Sequence, residues 1–364
     1  MKGFICSSIL LFLIIINFEC AGTNPQIALL NSGVDNWNKW RKENTAVIPD
    51  FSKADLSKSD LSGADLSGAN LSGAQFPEAH LVEVNLSGAN LKGIHGEGAD
   101  LSGANLNGAD LAKAFLGRAD LSGSHLQGTN LSGANLIGAN LEGADLEDAD
   151  FEKADLEKAN LEGTSLKGDS LWGARLGGAR LGGANLRKAN LDNASFRGAD
   201  LAEAHLENAT LVEARLGHCN LARAFLRGAD LKGAHIEQAN LEEADLSKAN
   251  LQGTDLGGAN LEGANLRGTN LWLASLGAAN LQDADLTGAN LEESNLSKTN
   301  LLEARSYYRA KLDSDIMSGI KAGRPEKLAT ILNQATGEWF LDKALLDRIK
   351  SPGWEGWGDN GRTP

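Results

Sequence analysis

A large apolar residue, usually Leu, falls on every fifth position from Phe51 to Leu301, and Gly96 is the exception. The residue two before it is small, mostly Ala, and the one between them is mostly Asp or Asn. A period of five fits neither the stripe of an α-helix nor the alternation of a flat strand. It predicts an all-β solenoid, in which each five-residue unit forms one short side and four sides of about 20 residues close one coil.

Individual units show the pattern clearly, as in Ala64-Asp65-Leu66-Ser67-Gly68 and Ala259-Asn260-Leu261-Glu262-Gly263. This order (a small residue, Asp or Asn, Leu or Phe, then two variable residues) resembles the pentapeptide-repeat family over residues 51–305. The resemblance implies a right-handed quadrilateral β-helix. It implies less about function, because members of the family act in varied ways; some resemble a DNA duplex and act on DNA gyrase.

The first 50 residues lie outside the repeat. Residues 1–22 are predicted to be a signal peptide, with Lys2 before an apolar stretch that is too short for a comfortable membrane span. This indicates export to a periplasmic or extracellular space, with a membrane anchor as the alternative. Residues 23–50 are predicted to form a helical cap in which Trp37 and Trp40 cover the open end of the solenoid.

The repeat register breaks at Ser306, and Tyr307, Tyr308 and Leu312 suggest one slipped turn. The rest of residues 306–364 has helical spacing and faintly resembles an ankyrin helix pair. A small helical C-terminal cap and a partial helical module remain alternatives for this region.

The repeat offers little from which to build an active site, because no loop interrupts it. No two histidines are separated by one full coil, so none should stack on another, and no metal or nucleophile spacing is evident. Cys219 occupies an inward small-residue position and is expected to be a buried filler. We therefore predict no enzyme activity, no catalytic residue, no cofactor and no metal site.

One side of the predicted coil is irregular, namely the one that contains residues 55, 75 and so on to 295. On this side Ile94 and Gly96 exchange the usual large and small residues, which suggests volume compensation. Either relaxed constraint or a contact surface explains the irregularity. The candidate contact residues on this side and in a neighbouring column are Phe115, Trp172, Arg175, Val212, Arg215, His235 and Trp272.

Charge limits the partners. The chain has 48 acidic and 34 basic residues, a net charge of −14, which disfavours nucleic-acid binding. Acidic residues concentrate in 142–162 and arginines in 175–227. Asp169 falls unexpectedly on an inward position, where a carboxylate would be costly unless it is paired or exposed by a bulge. The sequence predicts a non-enzymatic exported scaffold that binds a protein or a surface through one side. A passive spacer and a gyrase-directed DNA mimic are the alternatives, and a homodimer is possible.

Overall fold

Each five-residue unit forms one side and one corner of a coil. In our computed structural model, which describes residues 24–306 and 309–313, Leu61 and Ala64 point inward and Ser62-Gly63 form the corner turn. The N–H of Ala64 donates to the carbonyl of Leu61 at 3.0 Å and closes the turn. Gly63 has a positive φ of 70°, and the equivalent corner residue of many units is not glycine, as with Lys53 at 57°. The corner thus holds even charged residues in the left-handed region, where glycine is favoured.

Successive coils pair in parallel, and each bridged residue pairs with the equivalent residue four units later. Asp65 bridges to Asn85, and Asn220 bridges to Asn240. Each side contributes a single bridged residue, and the described residues contain no longer strand. The predicted four-sided coil is therefore confirmed, although it is built from isolated bridges instead of extended strands.

The chain divides into two compact units, one up to Ser165 and one from Leu166. In both, the leucines and the small residues two before them are buried in the interior. Within the first unit, Ile94 compensates for Gly96 as predicted. A Cβ added at Gly96 would lie 3.1 Å from Cδ2 of Leu116 and 3.8 Å from Cδ1 of Ile94, so both side chains fill the space, and the cavity that remains among the neighbouring residues is only about 10 Å³.

The Asp and Asn residues before the leucines have a structural role. The side chain of Asp65 accepts a hydrogen bond from the N–H of Ser67 at 3.1 Å, which fixes the corner, and a second from Nδ2 of Asn85 at 3.1 Å in the next coil. Asn90 and Asn70 repeat this contact between coils at 3.2 Å. Such ladders satisfy side-chain polar groups along the walls and make the common surface regular.

Two helices precede the repeat, α1 (Pro25–Asn31) and α2 (Val34–Glu43). Trp37 is completely buried, packs on Phe51 with 5.4 Å between ring centroids, and donates from Nε1 to the carbonyl of Asp65 at 2.8 Å. Arg41 donates to the carbonyl of Ser67 at 2.9 Å. These contacts support the predicted N-terminal cap, because α2 supplies donors to carbonyls that have no preceding coil.

The register slips by a single position at the far end. A 3₁₀ helix spans Leu301–Glu303, after which Asp285 bridges to Ser306 and Asn290 to Lys311, each one position later than in the preceding coils. This agrees with the predicted slipped turn, in which Leu312 is buried. The predicted signal segment, Tyr307, Tyr308 and the helical region after 313 lie outside the described residues, and the domain boundaries stay predictions.

Asp169 keeps its inward position. It is only 1% exposed, its N–H donates to the carbonyl of Leu166 at 3.3 Å, and its carbonyl accepts from Asn190 at 2.9 Å. Of the two conditions that would lower the cost of an inward Asp, exposure by a local bulge does not apply, because the side chain is buried and the backbone pairing remains in register.

Candidate functional site

The irregular side of the second unit forms a charged wall. Its bridged residues follow one another from coil to coil in the order Arg175, Ser195, Arg215, His235 and Asp255. Arg175, Arg215 and His235 are exposed, whereas Ser195 is half-buried. The structure therefore brings together three of the predicted contact residues on a single wall.

A groove of about 500 Å³ runs along this wall and the adjoining corner. It forms without a loop because small residues alternate with long ones: Ser195 separates the two arginines, and Gly173 leaves the corner open. The expectation that the repeat could build little in the way of a pocket is corrected here. The lining residues are Gly173, Ala174, Arg175, Asn193, Ser195, Glu213, Arg215 and His235.

The remaining candidates do not join this groove. Trp172 is 37% exposed and directly precedes Gly173 in the chain, whereas Val212 and Trp272 are half-buried. Hydrogen bonds between coils place these three in one column, in which the two tryptophans are not neighbours. Phe115 belongs to the first unit, where it stacks on His95 with 4.6 Å between ring centroids. The candidates thus do not form one continuous apolar patch.

A cluster of His235, Glu237 and Asp255 lies at one end of the wall, and sequence reasoning missed it. One nitrogen or oxygen from each residue lies within 4.8 Å of those from the other two. The cluster contains a single histidine, so the spacing between histidines gives no sign of it. The signal that would have found the cluster is a His followed two positions later by Glu and one full coil later by Asp.

Cys219 is buried in the second unit. Its Sγ donates to the carbonyl of Phe196 at 2.9 Å. Burial is the main cause that raises the pKa of Cys219 to about 12. At neutral pH the thiol is protonated and therefore a poor nucleophile.

Neither helix in residues 24–306 and 309–313 has the length and hydropathy needed to cross a bilayer.

Comparisons with known proteins agree with the coil. The family model described as "Pentapeptide repeats (8 copies)" matches residues 50–168 and 170–305 in overlapping segments, so the residue left out is Asp169. A comparison with curated proteins gives no significant match.

Several solved structures are similar. HetL, a pentapeptide repeat protein involved in heterocyst differentiation regulation from the cyanobacterium Nostoc sp. strain PCC 7120, is 34% identical; the match covers 68% of this chain and 93% of that one, with a TM-score of 0.31. QnrB1, a plasmid-mediated fluoroquinolone resistance protein, is 20% identical over 61% of this chain and 97% of its own, with a TM-score of 0.28. A pentapeptide repeat protein of the Arabidopsis thaliana thylakoid lumen is 36% identical; the match covers 25% of this chain and 67% of that one, with a TM-score of 0.23.

The repeats imply a right-handed quadrilateral β-helix, in agreement with a bridge in every unit and with pairing between units that lie four apart. With the family model matching well over half of its length, this chain belongs to the pentapeptide repeat family.

Proposed function

We propose that the protein is a non-enzymatic repeat scaffold that binds an acidic segment of a partner protein in the groove of the second unit. The observation that carries this proposal is the position of Arg175 and Arg215 on one wall, on either side of the smaller Ser195.

The spacing of the arginines suits an extended acidic peptide. Paired residues in neighbouring coils are about 4.8 Å apart, so residues two coils apart are separated by about 10 Å. Carboxylates two residues apart on an extended chain are about 7 Å apart, within reach of two long arginine side chains. A guanidinium binds a carboxylate through two parallel hydrogen bonds, which gives specificity as well as affinity.

The other lining residues are compatible with this ligand. Of these residues, Glu213 alone is acidic. A Cβ at Gly233 would collide with Oε1 of Glu213, so the carboxylate lies over Gly233, in the coil of His235. Trp172, next to the groove in the chain, offers an exposed ring that an anchoring contact would use.

The proposed setting is outside the cytoplasm, following the predicted signal peptide. A membrane contact would arise only if that segment is not cleaved. We place the scaffold function in the repeat. For residues 306–364, a C-terminal cap and a partial helical module remain the two alternatives.

Capture experiments with charge-reversed variants test this function. The full chain, immobilised, should retain one or more acidic exported proteins from its source, and Arg175→Glu combined with Arg215→Glu should abolish this retention. Higher salt should weaken it as well, because exposed charges are screened. Trp172→Ala should reduce retention, and Trp272→Ala should have little effect because Trp272 does not border the groove.

The matched control reverses the charge of two other exposed arginines, with Arg118→Glu and Arg227→Glu, and changes the net charge by the same amount. This control should retain the same proteins as the unmodified chain. Equal retention by the Arg175/Arg215 variant would refute the groove as the binding surface and favour a passive spacer.

The gyrase-directed DNA mimic stays a prediction. The arginine wall argues against a continuous anionic surface in the second unit. DNA supercoiling by gyrase that is unchanged in the presence of the protein would eliminate this alternative.

A further inference from the structure

We propose that His235, Glu237 and Asp255 form a binding site for a divalent transition-metal ion of the Zn²⁺ type. Imidazole and carboxylate are ordinary zinc ligands, and three protein ligands leave a fourth position for water or for another ligand. The site goes beyond the proposed scaffold function and is tested independently of it.

Three histidines in the described repeat have a Glu two positions later, which makes the comparison internal to the chain. At His95-Glu97 the ring nitrogen Nδ1 lies 3.7 Å from Oε1 of the Glu, and at His205-Glu207 this distance is 3.5 Å. In both cases the residue one coil later is Phe, and its ring stacks on the histidine at 4.6 Å. At His235 that position is occupied by Asp255, so a third ligand replaces an aromatic ring.

The His205-Glu207 pair shows that this arrangement attracts a cation. Nη2 of Arg187, in the preceding coil, lies 3.0 Å from Oε1 of Glu207 and 2.6 Å from Nδ1 of His205. The corresponding position before His235 is Gly217, which has no side chain. At His205-Glu207 the guanidinium of Arg187 therefore serves as the cation. At His235-Glu237 the equivalent residue, Gly217, supplies none.

Gly217 also positions the Glu237 carboxylate. A Cβ at Gly217 would collide with Oε1 of Glu237 and lie 2.9 Å from its Cδ, so the carboxylate rests over this glycine. Oε2 of Glu237, like Oε2 of Glu207, is buried and has no hydrogen-bond partner among the described residues. A buried carboxylate oxygen without a partner is costly, and a bound cation would remove that cost.

Asp255 is held in place from its other side, because Oδ1 accepts a hydrogen bond from the N–H of Gly257 at 3.0 Å. Zinc lies about 2.0–2.2 Å from nitrogen and oxygen ligands, so donors around a tetrahedral ion are about 3.4 Å apart. The donors lie within 4.8 Å of one another, so they need to approach by at most about 1.4 Å, which side-chain rotation of the exposed His235 provides. Arg215, next to His235 in the column, carries a positive charge that limits the affinity.

Isothermal titration of ZnCl₂ into the full chain, purified without a histidine tag and freed of metal with a chelator, tests the site. We expect one Zn²⁺ to bind per chain, and MgCl₂ and CaCl₂ to bind at least tenfold more weakly, because neither ion favours imidazole. His235→Gln should abolish zinc binding, and Asp255→Asn should weaken it at least tenfold. Gly217→Ala should also weaken it, although it removes no ligand, because it displaces the Glu237 carboxylate.

His205→Gln is the matched control and should bind zinc like the unmodified chain, since Arg187 already occupies that pair. Circular dichroism checks that each variant folds, and zinc should raise the melting temperature of the unmodified chain but not that of His235→Gln. Absence of zinc binding by the unmodified chain, or equal binding by His235→Gln, would overturn the proposal. Neither result bears on the arginine groove, which the capture experiment tests separately.

Discussion

The exchange of large and small residues at Ile94 and Gly96 allows a sharp test of how the interior is packed. Restoring the common pattern requires both Ile94→Ala and Gly96→Leu. Each change alone should destabilise the first unit, whereas the two together should nearly cancel, because the leucine would occupy the space that the isoleucine vacates.

The magnitudes follow from the structure. Ile94→Ala removes three buried carbon groups, at about 0.8 kcal/mol each. It also leaves a cavity of about 75 Å³, which at about 24 cal/mol per Å³ adds roughly 2 kcal/mol, for a total of about 4 kcal/mol. The existing cavity of about 10 Å³ contributes only about 0.2 kcal/mol at the same rate. Gly96→Leu alone would place a Cβ 3.1 Å from Cδ2 of Leu116 and should cost about 1–3 kcal/mol through overpacking.

The assay is urea unfolding of the four proteins in a double-mutant cycle, with amide exchange of residues 94–117 as a local probe. The local probe is needed because repeat arrays do not always unfold in a single step. We expect the double variant to lie within about 1 kcal/mol of the unmodified chain, which gives a coupling energy of about 4 kcal/mol or more. Additive effects of the two changes would refute the compensation argument.

Two further predictions concern single side chains. In a Cys6→Ser/Cys20→Ser background, Cys219 should not react with a thiol reagent at about pH 8 until denaturant is added, since its pKa is about 12; fast labelling of the folded chain would contradict its burial. Burial alone would raise the pKa of Asp285, but hydrogen bonds from Thr287 and the charges of Arg267 and Arg305 outweigh it, so the pKa lies below 3.8. Because the folded pKa is lowered, this carboxylate stabilises the fold above pH 3.8 and loses that contribution as the pH falls through its folded pKa. Asp285→Asn should therefore cost about 2 kcal/mol at neutral pH in urea unfolding, and progressively less as the pH is lowered below 3.8. A cost that does not change with pH in this range would count against this assignment.

The coil and its interior could be predicted from the sequence, because the period of five is compatible with few backbone geometries. Trp37 as a cap residue followed from the physical need to cover an open end. The side-chain ladders, which explain why Asp or Asn precedes most leucines, could not be predicted from the sequence. Their hydrogen bonds join residues in adjacent coils as well as neighbours in one turn.

The candidate site was predictable only in part. Arg175, Arg215 and His235 stood out because they replace the Asp or Asn that usually precedes the leucine. The groove depends on the small size of Ser195 between two arginines, which matters only once the stacking order is known. The His235 cluster depends further on side-chain rotamers, because Glu237 must lie over Gly217 to approach Asp255.

The constant pairing of units that lie four apart has a consequence for changes in chain length. Loss of one five-residue unit, such as Leu241–Asp245, would keep each coil closed but turn every later residue by a quarter of a turn. Asn260, instead of Asp255, would then lie beside His235. Loss of four consecutive units would remove one coil and leave every later residue facing its original direction. Insertions and deletions of whole units can therefore re-aim a recognition surface while the hydrophobic interior stays intact.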